Sequence, residues 1–198
     1  MNPVSSTSSS TADWKRSHTC GDLSSDHVGQ SVRLCGWVAN RRDHGRIFFV
    51  DLRDRYGITQ VTVDPEQEGV TEELLELCGK LGAEDVVSIR GTVQRRIAGQ
   101  ENKDRATGEI EVHATEILRL AQSEPSPIDL HEDSETAIER RLEYRFLDLR
   151  RAPLQEALVF RSRFVHAIRR SLESLSFVEV ETPILTKATP EGARDYLV

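Results

Sequence analysis

The chain has 198 residues, 37% of them hydrophobic and 30% charged, with a formal net charge of −7 and a pI near 5.4. That length holds one full domain and part of a second, and the acidic balance disfavours a non-specific DNA binder. No apolar run approaches the roughly 20 residues that would span a bilayer, and the Ser/Thr-rich opening Met1–Thr11 lacks the apolar core of a secretory signal.

Residues 1–16 are expected to be a disordered tail. Period-two patterning then begins. Val32, Leu34, Gly36 and Val38 alternate with Arg33, Cys35 and Trp37, the mark of a strand with one buried face. A second strand spans Ile47 to Asp54, with Phe48, Val50 and Leu52 on one face. Tyr56-Gly57 makes a turn, and Ile58 to Val63 is the third strand, ended by Asp64-Pro65.

The period then changes to helical. Thr71 can cap a helix whose first turn carries Glu72 and Glu73, favourable at the positive end of its dipole. Val70 and Leu75 stand at the spacing of a hydrophobic staple. Leu74, Leu77, Cys78 and Leu81 form the apolar stripe, and Gly82 is the expected stop. Strands resume at Val86 to Gln94, with Val87, Ile89, Gly91 and Val93 on one face, and at Ile110 to Leu120 after a polar loop. Three strands, a helix and two strands over residues 17–120 predict an all-β, five-stranded OB barrel with one helix.

Turning the apolar positions inward places Phe49, Gln60 and Glu111 outward. On a barrel surface an aromatic can stack on an unpaired base, while amides and carboxylates read base edges. Phe49 can equally be a second apolar layer under a loop. The basic clusters Arg41-Arg42, Arg95-Arg96, Arg150-Arg151 and Arg161, Arg163, Arg169, Arg170 are either solvated faces or places where an acidic protein meets a folded RNA. Cys20, Cys35 and Cys78 are odd in number and lack C-x-x-C spacing, which argues for reduced thiols and against a zinc site or disulfide framework.

Residues 121–140, with Pro125, Pro127 and many acidic residues, are expected to be a hinge. Pro153 suits the first turn of a helix. Leu154, Leu158, Val165, Ile168, Leu172 and Leu175 recur at helical spacing over about 22 residues, as a core-facing or dimer-facing stripe. Phe177, Val178 and Val180 suggest a strand ended by Thr182-Pro183.

LCGWV at 34–38, RRDHG at 41–45, FVDLRDRYG at 49–57, ATGEIEV at 106–112, YRFLDLRR at 144–151 and TKATPEGARDYLV at 186–198, in this order and spacing, resemble bacterial-type aspartyl-tRNA synthetases, a class II aminoacyl-tRNA synthetase family. The resemblance implies that residues 141–198 begin the class II α+β catalytic domain, truncated here, with the first signature motif around Pro183 building a homodimer interface. Family members usually carry Gly where this chain has Ser176. A left-handed residue without Gly costs on the order of 1 kcal/mol, so slight strain is expected there.

By the same resemblance, Phe49 matches the aromatic that stacks on the central anticodon base, Gln60 the residue that hydrogen-bonds that base, and Glu111 the carboxylate that reads a guanine-type first base. Arg42, Arg96 and Gln100 match nearby anticodon or backbone contacts. Glu191, in a mobile lid over residues 186–193, matches the carboxylate that meets the ammonium group of aspartate. His44 and Gly99 match positions whose His and Gly accompany relaxed reading of the third anticodon base, which extends the partners from tRNA(Asp) to tRNA(Asn). The parent enzymes are cytoplasmic, use ATP and Mg2+, and hold ATP through second and third motifs that these 198 residues do not contain. This chain alone is therefore expected to recognise tRNA without binding those cofactors or catalysing aminoacylation. The competing classes are a stand-alone OB-fold regulatory module and a structural dimerisation fragment.

Overall fold

A computed structural model describes residues 15–130 and 135–184. The lid loop with Glu191, and nearly all of the expected amino-terminal tail, lie outside them. The chain divides into two compact units, the first ending at Arg150 and the second beginning at Arg151.

In the first unit, β1 (Ser31–His44), β2 (Ile47–Arg53), β3 (Ile58–Val63), β4 (Val86–Arg95) and β5 (Ile110–Ala121) close into a barrel in the order β1-β2-β3-β5-β4. All neighbours are antiparallel except β3 and β5. The inward faces are those that alternation picks out. Val32, Leu34, Val38, Val50, Leu52, Val61, Val63, Val87, Ile89, Val93, Ile110 and Val112 form the core. Closure pairs the first and fourth strands and leaves no unpaired edge between them, so the sheet needs no second layer to protect it.

Helix α1 (Glu72–Gly79) follows β3. The Thr71 hydroxyl caps it by accepting from the Leu74 N–H. Leu74, Leu75 and Cys78 are buried, with Val70 and Leu77 packed against the core. Full burial of a Leu side chain is worth about 1.5–3 kcal/mol, so this short helix is held by its packing more than by its length. Burial also pushes the Cys78 thiol up to about 12. Gly82 does not end the helix. Lys80 caps it instead, and the Gly82 N–H is taken by the Asp85 carboxylate (3.0 Å).

β1 runs further than its apolar alternation suggests, because Arg41, Arg42, Asp43 and His44 remain paired with β2. His44 is thus the last strand residue, and the hairpin turn is Gly45-Arg46, both at positive φ (64° and 80°). Two left-handed residues make the tight turn whose twist matches the flanking strands. At the other end of β2, Asp54 Oδ1 accepts from the N–H groups of Tyr56 and Gly57 and shapes the next turn.

Residues 122–130 carry no helix or strand, yet Ser123 donates its N–H to buried Asp85 (2.7 Å) and Ile128 is buried. Helices α2 (Ile138–Glu143) and α3 (Arg145–Asp148) complete the unit. The Arg150 guanidinium lies over the Trp37 ring (4.5 Å) and pairs with Glu84 (2.8 Å), which also holds Arg53 (2.7 Å).

The second unit is helix α4 (Ala152–Ser174), with proline in its first turn. It has no buried residue, and Phe160, Phe164, Ile168 and Leu172 are exposed along it. Ser176 is left-handed (φ 65°), the backbone conformation on which the expectation of slight strain rests. The expected strand over Phe177–Val180 does not form. A strand is completed by a hydrogen-bonded neighbour, and no described segment pairs with these residues, which are exposed coil with Pro183 beyond them.

Candidate nucleic-acid interface

The strand register assembles one row of side chains across the outer face. Arg42 on β1 pairs with Phe49 on β2, Phe49 with Thr62 on β3, and Thr62 with His113 on β5. In the next row Asp51 pairs with Gln60, and Glu111 faces Gln94. Residues far apart in the chain therefore converge because the barrel places β3 beside β5.

Hydrogen bonds join the two rows. The Arg42 guanidinium donates to Gln60 Oε1 (3.1 Å), and Gln60 Nε2 donates to Glu111 Oε2 (2.9 Å). The Thr62 hydroxyl donates to the same Oε2 (3.0 Å), while His113 Nε2 lies 2.8 Å from Oε1. Gln60 faces outward as the alternation requires, but with 7% exposure it is enclosed by these partners. Burial pushes the Glu111 carboxyl up. The hydrogen bonds from His113, Thr62 and Gln60 outweigh it and hold the group below the usual carboxylate range.

Phe49 is half-buried. The His44 ring meets it edge-on (centroids 5.7 Å apart) and the Arg42 guanidinium lies 5.7 Å from its centroid. An aromatic ring is thus presented beside an amide and a carboxylate, flanked by a guanidinium and an imidazole. Stacking, hydrogen-bond readout and charge attraction can act within one patch.

The β4–β5 loop is pinned to this face. Arg105 grips Asp51 with two hydrogen bonds (2.7 and 2.9 Å), and these raise the pKa of the guanidinium. Arg96 donates from Nε to the Ile110 carbonyl (3.1 Å), but among the described residues its enclosed Nη2 has no hydrogen-bond partner. Burial lowers the Arg96 pKa, partly offset by Glu111. Gln100 is exposed, and among the described residues no hydrogen bond ties its side chain to the cluster. Its N–H closes a turn on Ile97. Gly99 lies beside it at φ +88°, and nothing would meet a Cβ there, so the backbone conformation explains this glycine.

Phe49, Gln60, Glu111 and Arg42 are therefore brought together, with His44 against the aromatic. Arg96 approaches through Glu111; Gln100 and Gly99 stand in the loop. Thr62, His113, Asp51 and Arg105 belong to the same network and are missed by sequence reasoning. The signal for three of them is present in the alternation: Asp51 shares a face with Phe49, Thr62 with Gln60, and His113 with Glu111.

A five-stranded closed barrel presenting these groups defines an OB-fold nucleic-acid-binding domain. Residues 32–120 match the family described as OB-fold nucleic acid binding domain, and residues 137–198 match tRNA synthetases class II (D, K and N). The chain belongs to this group of class II aminoacyl-tRNA synthetases and carries the start of their synthetase domain. It is 52% identical over 183 residues to an Aspartate--tRNA(Asp/Asn) ligase of Rubrobacter xylanophilus, a match that covers 92% of this chain and 30% of that protein. The chain thus spans under a third of that relative's length. Among solved structures, it is similar to asparaginyl-tRNA synthetase from Pyrococcus horikoshii complexed with asparaginyl-adenylate (30% identity, TM-score 0.75, covering 88% of this chain and 38% of that one). Aspartyl tRNA synthetase from Entamoeba histolytica, 22% identical with a TM-score of 0.79 over 90% of this chain and 42% of its own, shares the fold.

Proposed function

We propose that the outer face of the barrel binds the anticodon loop of tRNA(Asp) for an aspartate–tRNA ligase of which these residues are the amino-terminal part. The observation that carries this reading is the convergence of Phe49, Gln60 and Glu111 on one patch of an OB barrel. Phe49 stacks on the central base, Gln60 reads that base, and Glu111 accepts from the N–H edge of a guanine at the first position through the one lone pair its neighbours leave open. Arg42, Arg96 and Gln100 supply charge and hydrogen bonds around the loop. His44 and Gly99 leave the third position permissive, so tRNA(Asn) is accepted too. The name of the Rubrobacter relative supports the same breadth.

The region from residue 137 opens the catalytic domain, with Glu191 meeting the ammonium group of aspartate and the segment around Pro183 contributing to a homodimer in the cytoplasm. No described helix is long and apolar enough to cross a membrane. Among the described residues no cluster of His, Cys, Asp or Glu side chains is placed to hold a metal ion. The parent reaction draws on ATP and Mg2+; the RNA binding proposed for the barrel draws on neither.

The test is a titration of an RNA anticodon stem-loop of the aspartate type against wild type and Phe49→Ala. A base–aromatic stack is worth about 1–3 kcal/mol, so affinity should fall by roughly 5-fold to 150-fold. Equal affinities would remove Phe49 from the site.

A further inference from the structure

Glu111 is expected to read a base, yet three of its own neighbours already hold it. Oε2 accepts from Gln60 and Thr62, whose side chains are both buried, and Oε1 faces His113 at 2.8 Å. A carboxylate has about four lone-pair sites. The site left over is on Oε1, the oxygen that faces His113.

The protonation pattern follows from the partner. The donors around Glu111 hold it ionised, and an ionised carboxylate has no proton to give, so His113 Nε2 must carry the hydrogen. A neutral Glu111 could swivel; an ionised one gripped at both oxygens cannot. His113 itself is well placed to grip. It stands two residues after Glu111 on the same face of β5 and pairs with Thr62 on one side and Thr92 on the other. Gly91 lets β4 approach the His113 backbone closely, because a Cβ there would run into the His113 carbonyl.

We propose that His113 is a positioning residue for base recognition, which rests on Glu111 reading the first anticodon base. Its Nε2–H fixes the rotation of the Glu111 carboxylate, so that the remaining lone pair of Oε1 is aimed outward at an incoming guanine edge. Without that donor the carboxylate turns about its last bond, anchored only at Oε2, and its aim is lost. The effect falls on selectivity, because a guanine edge offers two donors in fixed directions whereas backbone and stacking contacts do not depend on this oxygen.

The test uses the 198-residue chain and two RNA anticodon stem-loops, with guanine or adenine at the first position, at one salt concentration. Wild type should prefer guanine by about tenfold or more. His113→Leu should bring that ratio to within about threefold of unity while its affinity for the adenine loop stays near wild type. His113→Gln keeps an N–H donor at the place of Nε2 and should restore most of the preference. Should His113→Leu fail to fold, His113→Asn, whose amide is too short to reach Oε1, must show the same loss. A wild-type ratio in the donor-lacking variants, an equal loss for both loops, or no rescue by Gln overturns the proposal. Glu111→Gln separates this failure from that of the underlying reading. If it keeps the guanine preference, Glu111 is not the reader; if it loses it while His113→Leu does not, only the positioning role falls.

Discussion

Removing the Glu111 carboxylate should destabilise the barrel even with no RNA present. In Glu111→Ala the Gln60 amide and the Thr62 hydroxyl lose their acceptor, and both belong to buried side chains. An enclosed unsatisfied donor costs about 1–3 kcal/mol. The Thr62 hydroxyl can rotate in search of another acceptor, whereas the Gln60 amide is also tethered by Arg42. The expected net loss is therefore about 2–3 kcal/mol. Glu111→Gln behaves differently. Its oxygen can still serve Gln60 and Thr62, and its amide can donate to His113 if that ring moves its proton to Nδ1, so the cost should be about 1 kcal/mol.

Urea unfolding followed by the fluorescence of Trp37, which lies on β1, measures both. The pH dependence adds a second handle. Glu111 is held below its ordinary value near 4.5, so its contribution is fully present above that value and is lost as pH falls through the lower folded one. The gap between wild type and Glu111→Gln should accordingly be widest near neutral pH and close in acid, where a protonated Glu111 resembles Gln. An alanine variant within about 0.5 kcal/mol of wild type, or a gap that widens in acid, would refute the claim that three donors hold this carboxylate.

Stem-loops carrying GUC and GUU anticodons should bind within about 100-fold of each other, and a larger preference for GUC, above about 2.7 kcal/mol, would show that His44 and Gly99 do not relax the third position. Gly91→Ala should cost about 1–3 kcal/mol in the same urea assay, because the added Cβ forces β4 away from the His113 carbonyl. Exposed Phe160, Phe164, Ile168 and Leu172 on α4 should drive self-association, visible by sedimentation velocity and weakened by Phe164→Glu; a monomer at high micromolar concentration would count against it.

Period and capping made most of the barrel legible. Alternation separates Phe48, Val50 and Leu52 from Phe49 because one face of β2 must leave water, and Thr71 marks the start of α1 because four N–H groups there need acceptors. Alternation also assigns Gln60 and Glu111 to the outer face. What it cannot supply is their mutual distance, since Gln60 meets Glu111 across 51 positions and Arg105 meets Asp51 across 54. Those meetings depend on the β3–β5 pairing, a property of barrel closure. Enclosure of Gln60 follows from them and was equally hidden. The stop assigned to Gly82 failed for a local reason instead: Asp85, three residues on, claims its N–H, and the helix has already ended three residues earlier.

The same network carries a consequence for binding. In the free barrel Gln60 spends its carbonyl on Arg42 and an N–H on Glu111, and Arg42 also leans toward the Phe49 ring. A base that stacks on Phe49 and pairs with Gln60 must therefore take over contacts that Arg42 already makes. Such an exchange leaves the net gain per hydrogen bond small, about 0.5–1.5 kcal/mol. It penalises the wrong base, which displaces Arg42 without repaying Gln60. The Arg42 side chain is 46% exposed and can swing out toward a phosphate, so its charge is kept in use after it yields the amide. Glu111 lacks that freedom, being gripped at both oxygens. The face thus sets a movable cation, Arg42, beside a fixed carboxylate, Glu111, and the fixed group is the one from which selectivity at the first base should come.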